Sequence, residues 1–380
     1  MTWTIKKMRI LLAGGGTAGH INPALAIAGF IRGKDKNAEI LFVGNKGGME
    51  ETLVPKAGFD MKFIHISGFQ RRLTPAAMKE NVLTLKRTFD SSRESKKIIE
   101  EFKPDICVGT GGYVSGPVLR TAAKMGIPTV IHEQNAYPGI TNKILAKNAD
   151  KVMLAVKDAE KYFDKKSNCV VTGNPVRREI IEADKYTARK ELGLDERPVV
   201  LSFGGSLGAK KINEGMAGLI ARSGKDGEYQ HIHGYGRNGL WFPDYIRERG
   251  VDVRKCPNLD VREYIDNMAT CMAAADLVIS RAGAITLSEI QALGKPAILI
   301  PSPNVAENHQ YHNAMALVNN RAAEIIEEKD LTEELVIEKA DSLLKDKDKL
   351  REYTENSSKM AIIDANERIY SIIKKITGAI

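Results

Sequence analysis

Short apolar runs alternate along this chain with longer segments that mix apolar and polar residues. In the first half the short runs predict strands at Arg9–Ala13, Ile40–Val43, Lys62–Ile66, Ile106–Gly109, Thr129–Ile131, Lys151–Leu154 and Cys169–Val171. Segments of helical character, such as Pro23–Arg32 and Gly116–Met125, lie between them. Strands and helices that alternate in this way predict a parallel, doubly wound α/β sheet.

The same pattern repeats after the turn Gly173-Asn174-Pro175. A polar helix is predicted at Arg177–Leu192, and strands are predicted at Val199–Phe203, Tyr229–His233, Val251–Arg254, Leu277–Ser280, Ala297–Pro301 and Ala323–Ile326. We therefore expect two domains, 1–173 and 174–355, and a C-terminal helix over 356–380 that packs back on the first. Ligands bind beyond the carboxyl ends of such strands, so the cleft between the domains is the expected active site.

Composition narrows the class of protein. A length of 380 residues favours two domains, and 43% hydrophobic residues are typical of a globular chain. The four cysteines form no C-x-x-C pair, which favours reduced thiols and argues against a zinc site. Neither a signal peptide nor a membrane-spanning run is expected. The net charge of +8 favours an acidic partner, but the 6% aromatic content argues against nucleic acid.

Two glycine-rich turns of the same design carry the first chemical signal. They are Gly15-Gly16-Thr17-Ala18-Gly19 and Gly204-Gly205-Ser206-Leu207-Gly208, and each follows a predicted strand and precedes a helix. Glycines let backbone amides approach a phosphate, and a helix N-terminus adds partial positive charge. The repeat predicts an enzyme that joins two phosphorylated molecules, although a tight turn without a ligand would give the same pattern.

The first turn also matches the fingerprint of dinucleotide-binding sites, Gly14-x-Gly16-x-x-Gly19. That fingerprint requires an acidic residue after the second strand, where this chain has Gly44-Asn45-Lys46. A nicotinamide cofactor is therefore not expected. His20 follows the turn directly and is either a proton acceptor near neutral pH or a partner of the local backbone.

Further polar and glycine-rich segments follow other strands. Gly109–Tyr113 with Ser115-Gly116-Pro117 predicts a second anion-binding concavity, with loop packing as the alternative. His132-Glu133-Gln134-Asn135 predicts a site at a strand end, but Ala136 rules out a zinc-binding H-E-x-x-H motif. In the second domain, Glu289 lies in a helix whose start suits phosphate, where it is either a ribose ligand or a solvated helix residue.

The stretch Gln70–Lys97 is basic and has an apolar stripe at helical spacing. The stripe consists of Met78, Val82, Leu85 and Phe89, and the neighbouring cations include Lys79, Lys86 and Arg87. This pattern indicates either a helix that binds an anionic membrane surface or a helix that packs its stripe on the sheet.

Together these segments resemble the MurG family, the bacterial N-acetylglucosaminyltransferases of peptidoglycan synthesis. The resemblance spans nearly the whole chain and is carried by Gly14–Pro23, Gly109–Pro117, His132–Asn135, Gly173–Arg177, Gly204–Asn213, Ser280–Glu289 and His309-Gln310. It implies the GT-B fold, in which two Rossmann-like domains face a cleft. It also implies inverting transfer of GlcNAc from UDP-GlcNAc to the MurNAc 4-hydroxyl of undecaprenyl-linked lipid I. The product would be lipid II, made by a peripheral enzyme at the cytoplasmic face of the cell membrane.

The resemblance further implies the residues that bind each substrate. The implied UDP-GlcNAc contacts are Thr17, Gly19, Asn135, Arg177, Ser206, Ile265, Ala284, Ile285, Thr286, Glu289, His309 and Gln310. The implied contacts of the acceptor diphosphate are Gly15, Gly16, Thr17, Gly111, Gly112 and Tyr113. Many members have two glutamines where this chain has His309-Gln310, so the sugar contact falls to either residue.

A mechanism follows from this assignment. Helix N-termini and amides can stabilise the departing UDP, so neither a metal nor a cofactor is expected. His20 is the first candidate for the base that deprotonates the acceptor hydroxyl, and Glu133 is the second. The expected partners are UDP-GlcNAc, lipid I and an anionic membrane surface, without nucleic acid. A related enzyme that glycosylates another lipid and a UDP-sugar epimerase remain the alternatives.

Overall fold

The computed structural model describes residues 7–66 and 90–378. Within them the chain forms two compact units, and it crosses from one to the other after Pro175 and again after Ile363. The units contain the two predicted parallel sheets. The boundary expected at Gly173 lies two residues before the observed one.

Unit 1 is built on seven parallel strands in the order β3-β2-β1-β4-β5-β6-β7. The strands are β1 (Arg9–Gly14), β2 (Glu39–Asn45), β3 (Asp60–Ile64), β4 (Ile106–Gly111), β5 (Thr129–Glu133), β6 (Lys151–Leu154) and β7 (Cys169–Val171). Its α-helices are α1 (Ala18–Lys34), α2 (Glu50–Lys56), α3 (90–102), α4 (Gly112–Lys124), α5 (Ile140–Leu145) and the C-terminal α15 (Ala365–Thr377).

The strand order of unit 1 reverses between β1 and β4, which are neighbours although two strands separate them in sequence. Side chains on opposite faces of β1 fill different cores: Ile10 and Leu12 face one, Leu11 and Ala13 the other. The first core is covered by α1 and α15, whose Ile369 is almost fully buried. Ligands in doubly wound sheets bind where the order reverses, so the turns after β1 and β4 form the natural site.

Unit 2 has six parallel strands in the order β10-β9-β8-β11-β12-β13. The strands are β8 (Val199–Phe203), β9 (Gln230–Gly234), β10 (Leu259–Arg262), β11 (Leu277–Ser280), β12 (Ala297–Leu299) and β13 (Ala323–Ile325). The α-helices are α6 (Arg178–Ile181), α7 (Lys185–Glu191), α8 (Lys210–Asp226), α9 (Phe242–Arg247), α10 (Met268–Ala274), α11 (Ala284–Ala292), α12 (His309–Val318), α13 (Glu333–Leu344) and α14 (Lys347–Lys359). The order reverses between β8 and β11, so the corresponding site lies after those strands.

Three predictions of secondary structure are wrong. The strand expected at Val251–Arg254 is a 3-10 turn, closed by the Asp252 carboxylate, and the strand paired with β9 is Leu259–Arg262. The single helix expected at Arg177–Leu192 is divided into α6 and α7, because Asp184 caps the second piece. The helix expected over 356–380 is also divided: its first residues end α14 in unit 2, and α15 starts at Ala365.

The glycine-rich segments after β1 and β4 run directly into helices, which begin earlier than the sequence predicts. The helix expected from Pro23 begins at Ala18, and the helix expected from Gly116 begins at Gly112. Pro23 and Pro117 therefore lie inside α1 and α4. Among the described helices, none combines the length and the apolar composition that a bilayer crossing requires.

Candidate functional site

The glycine turn of unit 1 joins β1 to the N-terminus of α1, at the point where the strand order reverses. Thr17 is the N-cap residue, its side chain makes no capping bond, and the first turn of α1 carries no acidic residue. Thr17 and Gly19 are exposed, so both can be reached by a ligand. This arrangement has the polarity of an anion site.

One backbone amide of this turn that the resemblance assigns to the acceptor diphosphate is already hydrogen-bonded to a side chain of the protein. The Gly16 N–H donates to Glu50 Oε2 at 3.2 Å, and the Asn45 N–H donates to Glu50 Oε1 at 2.9 Å. Glu50 is fully buried at the start of α2. The protein's own carboxylate thus already holds the amide of Gly16, one of the groups expected to face the acceptor diphosphate. Sequence analysis missed Glu50, because only the fold brings α2 to the turn.

Gly111, Gly112 and Tyr113 form the start of α4 beside this turn. Gly111 has a φ of 104°, and a Cβ atom there would lie 2.8 Å from His20 Nδ1. Glycine is therefore required at 111 by the approach of the histidine as well as by backbone conformation. The Tyr113 ring lies against Gly16, and burial, followed by the nearby charge of Glu50, raises the pKa of the Tyr113 hydroxyl.

His20 lies in the first turn of α1 and its ring is held through one nitrogen. Nδ1 is 3.1 Å from the carbonyl oxygen of Thr110 and 3.2 Å from Gln134 Oε1. The carbonyl can only accept, so Nδ1 carries the proton and the other ring nitrogen, Nε2, keeps a lone pair in the neutral ring. A partly exposed imidazole with a free lone pair is suited to accept a proton.

Glu133 ends β5 and is nearly fully buried. Its carboxylate accepts from the backbone N–H groups of Asn135 (2.9 Å) and Gly139 (3.1 Å) and from the side-chain amides of Asn135 (3.1 Å) and Asn142 (2.8 Å). Four donors around one carboxylate organise the loop after β5 and fix the side chain of Asn135. This environment favours a structural role for Glu133 over its role as the alternative base.

The glycine turn of unit 2 joins β8 to α8. Gly208 has a φ of 79°, and a Cβ atom there would lie 2.1 Å from the Tyr235 carbonyl oxygen, so this position requires glycine. Ser206 and Leu207 are exposed at the tip of the turn, and the Ser206 carbonyl accepts from the Arg237 N–H. The tip therefore offers backbone and hydroxyl groups to a ligand.

The second half of the unit 2 site is the start of α11, which follows β11. Gly283 is the N-cap residue, no acidic residue lies in the first turn, and Ala284, Ile285 and Thr286 are partly exposed. Because β8 and β11 pair directly, their two turns lie at adjacent strand ends. One glycine turn and two helix N-termini at a strand-order reversal suit a diphosphate.

Glu289 is buried on α11, with only 6% of its surface exposed. Arg177 pairs with it through Nη2 at 3.0 Å and Nε at 3.1 Å. Burial raises the pKa of the Glu289 carboxyl, and the charge of Arg177 opposes that effect. Glu289 is therefore not a solvated helix residue. Burying its carboxylate costs desolvation free energy, and the single ion pair with Arg177 only partly offsets that cost.

The remaining predicted contacts of unit 2 lie at other strand ends. Gln310 is fixed because its Oε1 accepts from the Ser302 N–H at 2.9 Å, which leaves its amide hydrogens for a ligand. His309 is partly exposed, and its Nδ1 lies 2.8 Å from the Ala306 carbonyl oxygen. The Ile265 side chain is buried against Gly234.

Acidic and basic motifs elsewhere have local functions. In residues 7–66 and 90–378 there is no group of three or more His, Cys, Asp or Glu residues that could hold a metal ion. The Asp-x-Asp sequence Asp346-Lys347-Asp348 lies at the start of α14, where the Asp346 carboxylate caps the helix by accepting from the backbone N–H groups of Asp348 and Lys349. The apolar stripe and the cations of 70–89 lie outside the described residues, and the described Lys96 and Lys97 pair with glutamates one helical turn away.

The chain is similar to known proteins over nearly its full length. The family model of the glycosyltransferase family 28 N-terminal domain matches residues 10–154, and that of the C-terminal domain matches residues 199–375. A UDP-N-acetylglucosamine–N-acetylmuramyl-(pentapeptide) pyrophosphoryl-undecaprenol N-acetylglucosamine transferase of Acetivibrio thermocellus is 48% identical, with 97% of this chain and 98% of the relative covered.

Solved structures agree with this similarity. The crystal structure of MurG from Acinetobacter baumannii superposes with a TM-score of 0.76 at 27% identity, with 97% of this chain and 100% of that chain covered. A putative UDP-N-acetylglucosamine 2-epimerase from Listeria monocytogenes gives a TM-score of 0.67 at 13% identity, with 97% and 96% covered. The second likeness concerns the fold alone.

Proposed function

The chain belongs to the MurG enzymes of glycosyltransferase family 28, and we propose that it transfers GlcNAc from UDP-GlcNAc to lipid I to form lipid II. The family relation favours this activity over the epimerase, whose likeness is restricted to the fold. The observation that carries the donor assignment is the buried Glu289 on the helix that starts at the strand-order reversal of unit 2.

Unit 2 is the proposed donor unit. The N-terminus of α11 and the turn Gly204–Gly208 bind the diphosphate of UDP-GlcNAc through backbone amides. Glu289 accepts hydrogen bonds from the two ribose hydroxyls, because its carboxylate has two acceptor oxygens, one for each hydroxyl. Arg177, which pairs with Glu289, is the proposed contact to the nucleoside.

The proposed reaction is a displacement at the anomeric carbon of GlcNAc. His20 Nε2 takes the proton of the MurNAc 4-hydroxyl as the oxygen attacks, and the bond to the UDP oxygen breaks. The charge that develops on UDP is stabilised by the donor-unit amides. Because attack occurs from the face opposite the leaving group, the anomeric configuration inverts.

The acceptor is held by unit 1 in this proposal, and its lipid stays in the bilayer. Each methylene withdrawn from the membrane would cost about 0.8 kcal/mol, so the enzyme must come to the surface. The described structure offers α5, where Ile140 and Ile144 are 55% and 58% exposed, with Lys143 and Lys147 beside them. The four free cysteines suit the reducing cytoplasmic face.

The test is an acceptor screen with radiolabelled UDP-GlcNAc in the presence of EDTA. Transfer of label to a lipid I analogue with release of UDP supports the proposal, and no loss of rate in EDTA is expected because amides stabilise the leaving group. Transfer to diacylglycerol alone would indicate another lipid glycosyltransferase. Formation of UDP-ManNAc without an acceptor would indicate an epimerase.

A further inference from the structure

We propose that Gln134 and His132 are positioning residues that hold the proton of His20 on Nδ1 and so keep Nε2 free to act as the base. This inference rests on the proposed function of His20. It comes from a chain of hydrogen bonds within unit 1 that links His20 to Gly173, three residues before unit 2 begins at Val176.

The direction of every bond in the chain is determined by backbone carbonyls, which can only accept. At the far end, His132 Nε2 lies 2.9 Å from the Gly173 carbonyl oxygen, so Nε2 carries the proton. The neutral His132 ring therefore presents an unprotonated Nδ1, which lies 3.1 Å from Gln134 Nε2.

The same logic fixes the side chain of Gln134. Its Nε2 donates to the His132 carbonyl oxygen at 2.9 Å as well as to His132 Nδ1, so this end of the amide must be the nitrogen. Its Oε1 consequently faces His20 Nδ1 at 3.2 Å. The Thr110 carbonyl, at 3.1 Å from the same nitrogen, is a second acceptor of the same proton, so two acceptors together hold it on Nδ1.

Burial keeps this chain in one protonation state. His132 is fully buried and Gln134 is 3% exposed, so neither exchanges its partners for water. Burial lowers the pKa of His132 to about 4, which keeps that ring neutral at physiological pH. Asn174 Nδ2 also donates to the Gln134 carbonyl at 3.2 Å, so the segment before the unit boundary holds the chain at two places.

The backbone of His20 is held as firmly as its ring. Thr110 Oγ1 donates to the His20 carbonyl at 2.7 Å, while the Thr110 carbonyl accepts from the ring. Thr110 thus fixes the position of the residue and shares the ring proton with Gln134, whose own orientation is fixed by His132. A variant of Gln134 or His132 disturbs one of the two acceptors of this proton and keeps the backbone contact of His20 with Thr110.

The test is ¹⁵N NMR of the histidine side chains in the resting full-length enzyme, with His20→Gln used to assign the His20 signals. We expect the neutral wild-type ring to be protonated on Nδ1. In Gln134→Met and His132→Phe we expect a mixture of both tautomers. We also expect kcat to fall about 2- to 10-fold, because only the fraction of the ring that is protonated on Nδ1 can act as the base. The KM for UDP-GlcNAc should not change.

Gln230→Met is the matched control, because Gln230 is another buried glutamine with several hydrogen bonds, located in unit 2. It should leave the His20 signals and kcat unchanged, even if thermal stability falls. Wild-type His20 protonated on Nε2, or the same tautomer in both unit 1 variants and the wild type, would overturn the inference. Failure of the proposed base is a separate result: His20→Gln would then keep its activity, whatever the tautomer spectra show.

Discussion

At the scale of single residues, the two proposed functional groups differ in how the protein holds them. Glu289 is a buried carboxylate whose charge is opposed by burial and supported by Arg177. His20 is a partly exposed ring that is fixed through Nδ1. In the proposed function the first binds the ribose hydroxyl groups and the second accepts a proton. Their variants should therefore change different kinetic constants.

Glu289→Ala should raise the KM for UDP-GlcNAc on the order of a hundredfold and leave the KM of the acceptor nearly unchanged. Two hydrogen bonds from ribose to a carboxylate are worth about 3 kcal/mol, which corresponds to that ratio. Steady-state kinetics with each substrate varied in turn measures the effect. An unchanged donor KM would contradict the assignment.

The donor KM should also depend on pH through Glu289. Because burial raises the pKa of this carboxyl, the KM should begin to rise on acidification at a higher pH than an ordinary glutamate would give. Arg177→Met removes the charge that opposes this effect, so the rise should start at a still higher pH. An identical pH profile in Arg177→Met and wild type would show that the pair does not control donor binding.

His20→Ala should lower kcat by ~10²–10⁴-fold with little change in the donor KM, because a general base acts in the transition state. Glu133→Gln provides the contrast, because the Glu133 carboxylate accepts four hydrogen bonds. Replacing one of its oxygens by an amide nitrogen should lower the melting temperature and change kcat much less than His20→Ala does. Activity of His20→Ala within a few-fold of wild type would require another base.

At the scale of elements, α15 completes unit 1 although it is the last helix of the chain. Ile369 and Ile373 enter the core that contains Ile27 and Ile31 of α1. The helix ends with Gly378 in the left-handed conformation, which favours glycine. The C-terminal helix is thus part of the hydrophobic core of the first unit.

Ile373→Ala should destabilise unit 1 by about 2–5 kcal/mol, the usual cost of truncating a buried isoleucine. Hydrogen exchange resolves the two units and should show faster exchange in β1 and α1 but not in β8 or α8. The exposed Lys375→Ala, two residues away on the same helix, is the control and should have no such effect. Equal acceleration in both units would mean that they unfold together.

At the scale of the whole molecule, the proposed reaction needs a membrane-bound acceptor, and the described residues contain no spanning helix. Attachment then depends on a surface that combines apolar and basic side chains. The stretch Gln70–Lys97 remains a prediction, since most of it lies outside the described residues. The described α5 provides a second such surface that can be tested directly.

Lys143→Glu with Lys147→Glu should weaken binding to vesicles of anionic lipid by roughly 30-fold or more, because each lysine near such a surface contributes about 1 kcal/mol. Turnover with vesicle-embedded acceptor should fall, whereas turnover with a short water-soluble acceptor should not. Lys190→Glu with Lys225→Glu makes the same charge change on exposed residues of unit 2 and should leave vesicle binding intact. Equal loss with both acceptors would point to folding or catalysis.

The sequence by itself determined most of the architecture. Short apolar runs identified twelve of the thirteen strands found in residues 7–66 and 90–378, because buried parallel strands need apolar residues on both faces. The two glycine turns were predicted as ligand-binding turns, because close backbone approach and left-handed conformations exclude side chains there, and the structure places them at the strand-order reversals. The strand β10 was missed because its Leu259–Arg262 run is half polar and is specified by pairing with β9.

Only the tertiary structure decided which hydrogen bonds and ion pairs connect the residues of the candidate site. Glu50 reaches the Gly16 amide from a different helix, and Arg177 meets Glu289 across more than a hundred residues of sequence. The hydrogen-bond chain from His20 through Gln134 and His132 to Gly173 likewise joins three separate segments. Periodicity and spacing describe neighbours along the chain, whereas proton positions and buried charges depend on groups that meet only after the sheets have formed.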